Sequence, residues 1–190
     1  MNIESLQFPI TTGRLTLRPF AAEDFSAYAA YHALPEVYRY LYAAPPAGAD
    51  LQRQFDRALS APFHADGDAF RLAVVTNAGH AVIGETVLKL ASKAALQGEV
   101  GYIFNPAFAG KGYATEAVAS TIDFGFSTFG FHRIFARLDA ANRGSVGVVE
   151  RLGLRREAHL VQNDRFDGEW GDEYIYAVLA SEWRQRRATA

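Results

Sequence analysis

The sequence predicts an α/β (α+β) fold with a mixed central sheet and helices on both faces. Two observations carry this prediction. The apolar segments at 69–75, 81–90 and 98–104 follow one another through short connections, as antiparallel strands do. A long amphipathic helix separates the segments at 98–104 and 132–140, and a parallel pair of strands needs such a crossover. No internal repeat or linker interrupts the pattern, so we expect residues 1–190 to form a single domain.

The N-terminal third of the chain contains one predicted strand and two predicted helices. In "RLTLRPF" (14–20), leucines alternate with polar residues, which is the period of a half-buried strand. "AEDFSAYAAYHAL" (22–34) begins with an acidic first turn and continues with alanine-rich helical spacing. In "DLQRQFDRAL" (50–59) the apolar residues recur every four positions, which indicates a short amphipathic helix.

The remaining elements are predicted from turn residues and from the period of the apolar positions. "TNAGH" between the first two middle strands has the Asn and Gly of a hairpin, and "GEVGYIF" (98–104) is apolar enough for a central strand. The strongest helix is 112–129, with an apolar stripe of Ala114, Val118, Ile122, Phe126 and Phe129. We then expect a strand at 132–140, a helix in "RGSVGVVERL", a strand in "LRREAHLV" and a closing strand over "EYIYAVLASEW" (173–183).

Composition excludes several classes of function. The net charge of −2 gives no general positive field for nucleic acid or an anionic membrane, so an anion site must be local. The absence of cysteine excludes disulfides, thiolate nucleophiles and zinc–cysteine sites, and the five histidines lack metal-binding spacing, so no metal is expected. The chain shows neither a signal-peptide pattern nor an apolar run of about 18 residues. We therefore expect a cytoplasmic protein.

The stretch "FAGKGYATEA" (108–117) lies between a strand and a helix, where crossover units bind ligands. Gly110 and Gly112 match two positions of a dinucleotide fingerprint, but Thr115 occupies the third. A P-loop requires Ser or Thr after its Gly-Lys pair, whereas Lys111 is followed by a glycine. The glycines therefore indicate either a local anion site at a helix N-terminus or only a turn.

A second motif distinguishes these alternatives. "NRGSVGVVERLGL" (142–154) reads N-x-x-S-x-x-x-x-E-x-x-G-L. Together with "GEVGYIFNP" and "AGKGYATEA" it resembles the GCN5-related N-acetyltransferases (GNAT), and among them the ribosomal-protein N-terminal acetyltransferases. The start "TTGRLTLRPFAAEDF" and the end "EYIYAVLASEW" are also similar, so the resemblance covers nearly the whole chain. It implies a mostly antiparallel sheet of about seven strands and acetyl-CoA as co-substrate.

The resemblance also implies where acetyl-CoA binds. Its pyrophosphate is expected on the loop 109–115, and Asn142, which is equally suited to cap a helix, is expected to hold the pantetheine arm. Coenzyme A carries about four negative charges, which local amides, the helix dipole and Lys111 would have to meet. Related enzymes usually carry Arg or Gln where this chain has Ala109, a change that a backbone contact survives. The implied cofactor-binding residues are Ile103, Phe104, Ala109, Gly110, Lys111, Gly112, Tyr113, Ala114, Thr115, Asn142 and Ser145.

Acetyl transfer to an amine requires the neutral nucleophile, so a group must accept a proton. The resemblance implies Glu99 as this base, although a charged strand end in solvent would look the same. Glu85 and Asp172 are the next candidates. The tyrosine that is the commoner general acid of the family is replaced by Val149. Either Ser145 or a water molecule is therefore expected to protonate the leaving thiolate.

The sequence leaves the acceptor open. The resemblance implies a protein N-terminus, such as that of a ribosomal protein, and the rival is a small amine or an aminoglycoside. The loops at 32–50, 91–97 and 162–171 are expected to surround the acceptor entrance. A non-catalytic CoA-binding sensor or interaction module is an alternative of another class, and the failed P-loop pattern disfavours a nucleotide hydrolase. We expect no nucleic-acid or membrane partner and either a monomer or a homodimer.

Overall fold

A mixed sheet with helices on both faces forms the core of the protein, as predicted. The computed structural model describes residues 8–60 and 62–189. Within these ranges the strands form one eight-stranded sheet in the order β1-β2-β3-β4-β5-β6-β8-β7. The elements are β1 (Ile10–Thr11), β2 (Leu15–Arg18), α1 (Phe25–His32), α2 (Pro35–Tyr38), α3 (Gly48–Leu59), β3 (Ala69–Thr76), β4 (Val82–Ser92), β5 (Gln97–Phe104), α4 (Tyr113–Thr128), β6 (Arg133–Asp139), α5 (Arg143–Arg151), β7 (Arg155–Phe166), β8 (Glu169–Leu179) and α6 (Ala180–Thr189).

Two apolar cores lie on opposite faces of the sheet because successive strand side chains point in opposite directions. On one face, Val118 of α4 packs with Val74 of β3, and both are fully buried. On the other face, Tyr28 of α1 and Phe55 of α3 pack against Ala73 of β3. The α1–α3 layer covers the first half of its face, around β2 to β4.

The parallel pair β5–β6 interrupts an otherwise antiparallel sheet and positions the candidate site. The two strands pair at only three positions, from Gln97 opposite Arg133 to Glu99 opposite Phe135. Beyond Glu99, β5 continues to pair with β4 as far as Phe104. The two parallel strands therefore separate while their outer neighbours still hold them, and a gap opens between them in the middle of the sheet.

The predicted loop at 162–171 is wrong, because most of it belongs to a hairpin. β7 runs to Phe166 and β8 begins at Glu169. The turn between them is Asp167-Gly168, and both residues have positive φ, 50° and 86°. Paired positive φ values are the geometry of a two-residue hairpin turn, and Asp-Gly is a favoured sequence for it. The polar strand residues concealed this hairpin from the sequence pattern.

The predicted closing strand at 173–183 is correct only as far as Leu179. From Ala180 the chain continues as helix α6, because Glu182 accepts a hydrogen bond from the Leu179 amide (2.8 Å) at the helix start. Trp183 is buried from the helix, and its Nε1 donates to Asp123 Oδ1 of α4 (2.6 Å). The apolar positions alone did not reveal this change from strand to helix.

Candidate active site

A cavity of about 650 Å³ opens where β5 and β6 separate. One wall is the second half of β5, from Gly101 to Phe104, and the facing wall is the end of β6 at Arg137–Asp139. The glycine loop before α4 and the first turns of α5 close one end, and residues of the α2 region, including Leu41, border the other. The volume falls in the range of small-molecule and cofactor sites.

Most of the site residues that the sequence predicts meet in this cavity. Ten of the twelve line it: Ile103, Phe104, Ala109, Gly110, Gly112, Tyr113, Ala114, Thr115, Asn142 and Ser145. Lys111 and Glu99 do not line it. Lys111 is exposed, and its Nζ lies 5.5 Å from the centre of the Phe108 ring, so it sits outside the cavity wall.

The glycine loop has the geometry of an anion site. Gly110 and Gly112 have φ values of 76° and 77°, a left-handed conformation that residues with a Cβ rarely adopt. Helix α4 begins at Tyr113, and the Glu116 amide donates back to Gly112 O (3.1 Å). The earlier amides of the helix have no intrahelical acceptor, and the positive end of the helix dipole lies with them. Such an end binds phosphate groups.

An ion pair with Arg14 holds this loop in place and neutralises Glu116, the one acidic residue in the first turn of α4. Arg14 lies 2.6 Å from Glu116 and donates through Nη1 to the carbonyl of Lys111 (2.8 Å). Thr12 Oγ1 also donates to Glu116 (2.6 Å). Burial alone would raise the pKa of Glu116, but the hydrogen bonds from Thr12 and Arg14 outweigh it and lower the pKa. Glu116 is therefore ionised but neutralised.

Arg151 is a cavity residue that the sequence analysis missed. It lies at the end of α5, lines the cavity, and donates through Nε to Thr115 Oγ1 (3.3 Å). Its guanidinium therefore stands beside the glycine loop and adds a positive charge next to the N-terminus of α4. No motif singles it out, because one arginine among several in this segment has no distinctive spacing.

Asn142, Ser145 and Tyr102 connect β5 to α5 beside the gap. Asn142 Oδ1 accepts from the Ser145 amide (3.1 Å), which is the helix cap that the simpler interpretation predicts. Tyr102 donates its hydroxyl proton to the Ser145 carbonyl (2.8 Å), and burial raises the pKa of Tyr102, which stays neutral. Capping and cavity contact coexist for Asn142, and Val149 is fully buried.

The three candidate bases have different surroundings. Glu99 is the last β5 residue paired with β6, and Lys89 Nζ lies 3.5 Å from its Oε2. Glu85 is fully buried on β4, directly opposite Ile103 of the cavity wall. Asp172 does not line the cavity. The Gln162 amide (2.9 Å) and His159 Nε2 (2.6 Å) contact its carboxylate, and these bonds lower its pKa.

Over residues 8–60 and 62–189, no three His, Asp or Glu side chains group as metal ligands. In the same ranges no helix combines the length and the apolar character that crossing a membrane requires.

Comparison with known proteins gives the same family as the geometry. The family model "Acetyltransferase (GNAT) domain" matches residues 14–155. The uncharacterized N-acetyltransferase YnaD of Bacillus subtilis is 31% identical over 175 residues, 92% of this chain and 98% of the relative. The [ribosomal protein uS5]-alanine N-acetyltransferase of Escherichia coli is 26% identical over 126 residues, 66% of this chain and 65% of the relative.

Solved structures share the fold over nearly the whole chain. An acetyltransferase (GNAT family) from Bacillus anthracis superposes with a TM-score of 0.81 at 28% identity, covering 92% of this chain and 100% of that one. Spermidine N-acetyltransferase from Vibrio cholerae, in complex with CoA and spermine, gives 0.78 at 21% identity, covering 91% and 99%. Family model, relatives and fold agree that this chain belongs to the GNAT family and is an acetyl-CoA-dependent N-acetyltransferase.

Proposed function

We propose that the protein transfers the acetyl group of acetyl-CoA to a primary amine by direct attack, without a covalent enzyme intermediate. The observation that carries this proposal is the gap between β5 and β6, which has a glycine-rich anion site at one end. The gap brings a donor and a nucleophile together inside the sheet, and such positioning can supply much of the rate acceleration.

The residues of the cavity fit the donor. The loop from Gly110 to Thr115 offers backbone amides and a helix N-terminus to the pyrophosphate, and Arg151 adds a cation beside it. Along Gly101–Phe104 the edge of β5 that faces β6 has lost its strand partner. These backbone groups are left to bind the pantetheine arm and to polarise the thioester carbonyl. Asn142 lines the same wall.

In the proposed reaction the neutral amine nitrogen attacks the thioester carbonyl carbon. A C–N bond forms, the C–S bond breaks, and the thiolate of CoA takes a proton from Ser145 Oγ or from water. Glu99 takes the proton that the amine loses. Glu99 lies at the closed end of the gap and not in the cavity wall, so the proton passes from the amine to Glu99 through a water molecule. The proton held by Glu99 then returns through water to the deprotonated Ser145 or to hydroxide, so the products are a neutral amide and a neutral thiol and the enzyme regains its starting state.

The acceptor is proposed to be a primary amine, either a protein N-terminus or a small molecule. A protein N-terminus is suggested by the likeness to the uS5-alanine enzyme, and a small amine by the fold shared with the spermidine enzyme. A second cavity of about 440 Å³ lies on the α1–α3 face of the sheet and shares Leu41 and Ile103 with the first, and its size supports the small amine.

Thiol release from acetyl-CoA across a panel of amines, together with calorimetric binding of acetyl-CoA, tests the proposal. Glu99→Gln should lower kcat by about 10²- to 10⁴-fold and leave the Kd for acetyl-CoA unchanged. Glu169→Gln, at the exposed start of β8, is the matched control and should keep wild-type turnover. Binding of acetyl-CoA without turnover would support the sensor alternative. Tighter binding of ATP than of acetyl-CoA would contradict the assignment.

A further inference from the structure

A second cavity of about 440 Å³ lies on the α1–α3 side of the sheet and borders the first. The two cavities share Leu41 and Ile103 as lining residues. Glu85, which lines the second cavity, is the cross-strand partner of Ile103. A molecule bound there would therefore reach the gap between β5 and β6 from the face opposite α4.

The inner part of this cavity contains polar groups that the protein itself does not satisfy. Glu85 and His32 are both fully buried and both line the cavity. Glu85 Oε1 accepts from Arg71 (2.7 Å), whereas Oε2 has no partner in the described part of the chain. His32 Nε2 likewise has none and lies 3.9 Å from Glu85 Oε1. A buried polar group without a hydrogen-bond partner destabilises the protein, so a ligand that satisfies both atoms is favoured.

The two groups require opposite partners. Gln54 Nε2 donates to the Tyr38 hydroxyl (3.1 Å), which leaves the Tyr38 proton for His32 Nδ1 (2.6 Å). The second amide proton of Gln54 goes to the Tyr28 hydroxyl (2.9 Å), so the Tyr38 hydroxyl is the donor to Nδ1. Nδ1 is therefore assigned as an acceptor, and the ring proton lies on Nε2. His32 offers a donor and Glu85 an acceptor.

The charges around the cavity are balanced and not acidic. Arg57 and Arg71 are its cations, and Asp68 and Glu85 are its anions. Arg71 is paired with Glu85, and Asp68 accepts two backbone amides, from His64 and Ala65. Arg57 stands exposed on α3, and no ion pair joins it to any residue in 8–60 or 62–189. The cavity thus has a carboxylate at its inner end and an unpaired guanidinium at its rim.

We propose that this cavity is the acceptor pocket and that it selects a small amine that also carries a carboxylate, as an α-amino acid does. Glu85 Oε2 accepts from the acceptor's amino group at the inner end, next to Ile103 and the cavity between β5 and β6, which is the donor cavity. The acceptor's carboxylate points toward the rim, where Arg57 pairs with it. His32 Nε2, which lies beside Glu85 at the inner end, donates to the carboxylate oxygen that lies nearer to the amino group. The proposal rests on the proposed acetyl transfer and names the substrate class of that site.

The same charges argue against the polycationic rivals. A polyamine or an aminoglycoside would place several ammonium groups near Arg57 and Arg71, and like charges at short range are unfavourable. A peptide N-terminus has the amine but lacks the adjacent carboxylate that would pair with Arg57. The balanced cavity therefore favours an amphoteric molecule over all three.

The experiment measures kcat and KM for the proteinogenic L-amino acids against the corresponding amino acid amides, with spermidine and an alanine-starting peptide as further acceptors. Arg57→Gln is the test variant, because Arg57 is exposed and its loss should not disturb folding. Arg53→Gln, on the same helix and paired with Asp50 outside the cavity, is the matched control. We expect at least one amino acid to be preferred over its amide. Arg57→Gln should raise its KM about 10-fold or more, and Arg53→Gln should not.

The other possible results distinguish failure of the amino-acid inference from failure of the proposed acetyl transfer. If amides, spermidine or the peptide are turned over as fast as the amino acids or faster, and Arg57→Gln does not change KM, the inference is overturned. The proposed acetyl transfer then still stands. Binding of acetyl-CoA without turnover of any acceptor overturns both the inference and direct transfer. Failure to bind acetyl-CoA overturns the proposed function itself.

Discussion

Replacing Gly110 by alanine separates the two roles that a glycine in this loop can have. Gly110 has φ of 76° and lines the donor cavity, and a Cβ built on it would meet no atom within 4 Å. The added methyl group therefore projects into open space beside the anion site. It does not collide with the protein, so the variant should fold and instead obstruct the close approach of a ligand phosphate.

The magnitudes follow from the backbone conformation and from the lost contact. A left-handed residue with a Cβ costs about 1–2 kcal/mol, and the stiffer unfolded chain offsets about 0.4–1 kcal/mol. The net loss of about 1 kcal/mol lowers Tm by about 2–4 °C for a chain of this length. Loss of one hydrogen bond to a charged group is worth about 1.5–3 kcal/mol, which weakens binding of acetyl-CoA about 10- to 150-fold.

Gly130→Ala is the matched control. Gly130 follows α4, has φ of 65°, also has no atom within 4 Å of a built Cβ, and does not line the donor cavity. Thermal unfolding and calorimetric titration with acetyl-CoA are measured on both variants. Similar losses of Tm, with weaker binding only in Gly110→Ala, are expected. Equal Kd values for the two variants would refute a phosphate seat at this loop.

Three other predictions use residues near the gap. Glu116→Gln should destabilise the protein at pH 7. Folding lowers the pKa of Glu116 from 4.5, so the carboxylate stabilises the folded state above pH 4.5 and loses this effect as the pH falls through the lowered pKa. The free energy of unfolding, measured in urea, should therefore differ more between variant and wild type at pH 7 than at pH 3. Tyr102→Phe removes the bond to the Ser145 carbonyl and should lower Tm by about 2–4 °C in calorimetry, about 1 kcal/mol. Ser145→Ala should lower kcat about 10²- to 10⁴-fold at constant Kd for acetyl-CoA if Ser145 is the acid, whereas an unchanged kcat assigns the proton to water.

The sequence predicts best where one pattern decides the structure. The apolar stripe of 112–129 could be buried only as a helix, and α4 occupies Tyr113–Thr128. The hairpins of β3, β4 and β5 follow from short connections and apolar runs. The glycine loop was located from Gly110 and Gly112, whose spacing also reflects the left-handed conformation that both adopt.

Features that depend on tertiary contacts escaped the sequence. The separation of β5 from β6 after Glu99 has no sequence signature, because it depends on the strands held on either side. Arg151 reaches the glycine loop only through the packing of α5 against α4. The spacing of His32 indicates only that it is not a metal ligand, and it does not reveal that His32 is fully buried beside Glu85. The spacing of polar residues along the sequence does not distinguish a buried polar side chain from a solvated one.

Hydrogen–deuterium exchange with and without acetyl-CoA shows directly whether the cofactor lies between β5 and β6 and on the glycine loop. We expect slower exchange of the amides in the glycine loop at 110–115 and along the edge of β5 at 101–104 that faces the gap. The β7–β8 turn at 167–168, which lies outside the cavity, should exchange at the same rate in both states. Protection confined to other segments, or no protection at saturating acetyl-CoA, would rule out this binding mode.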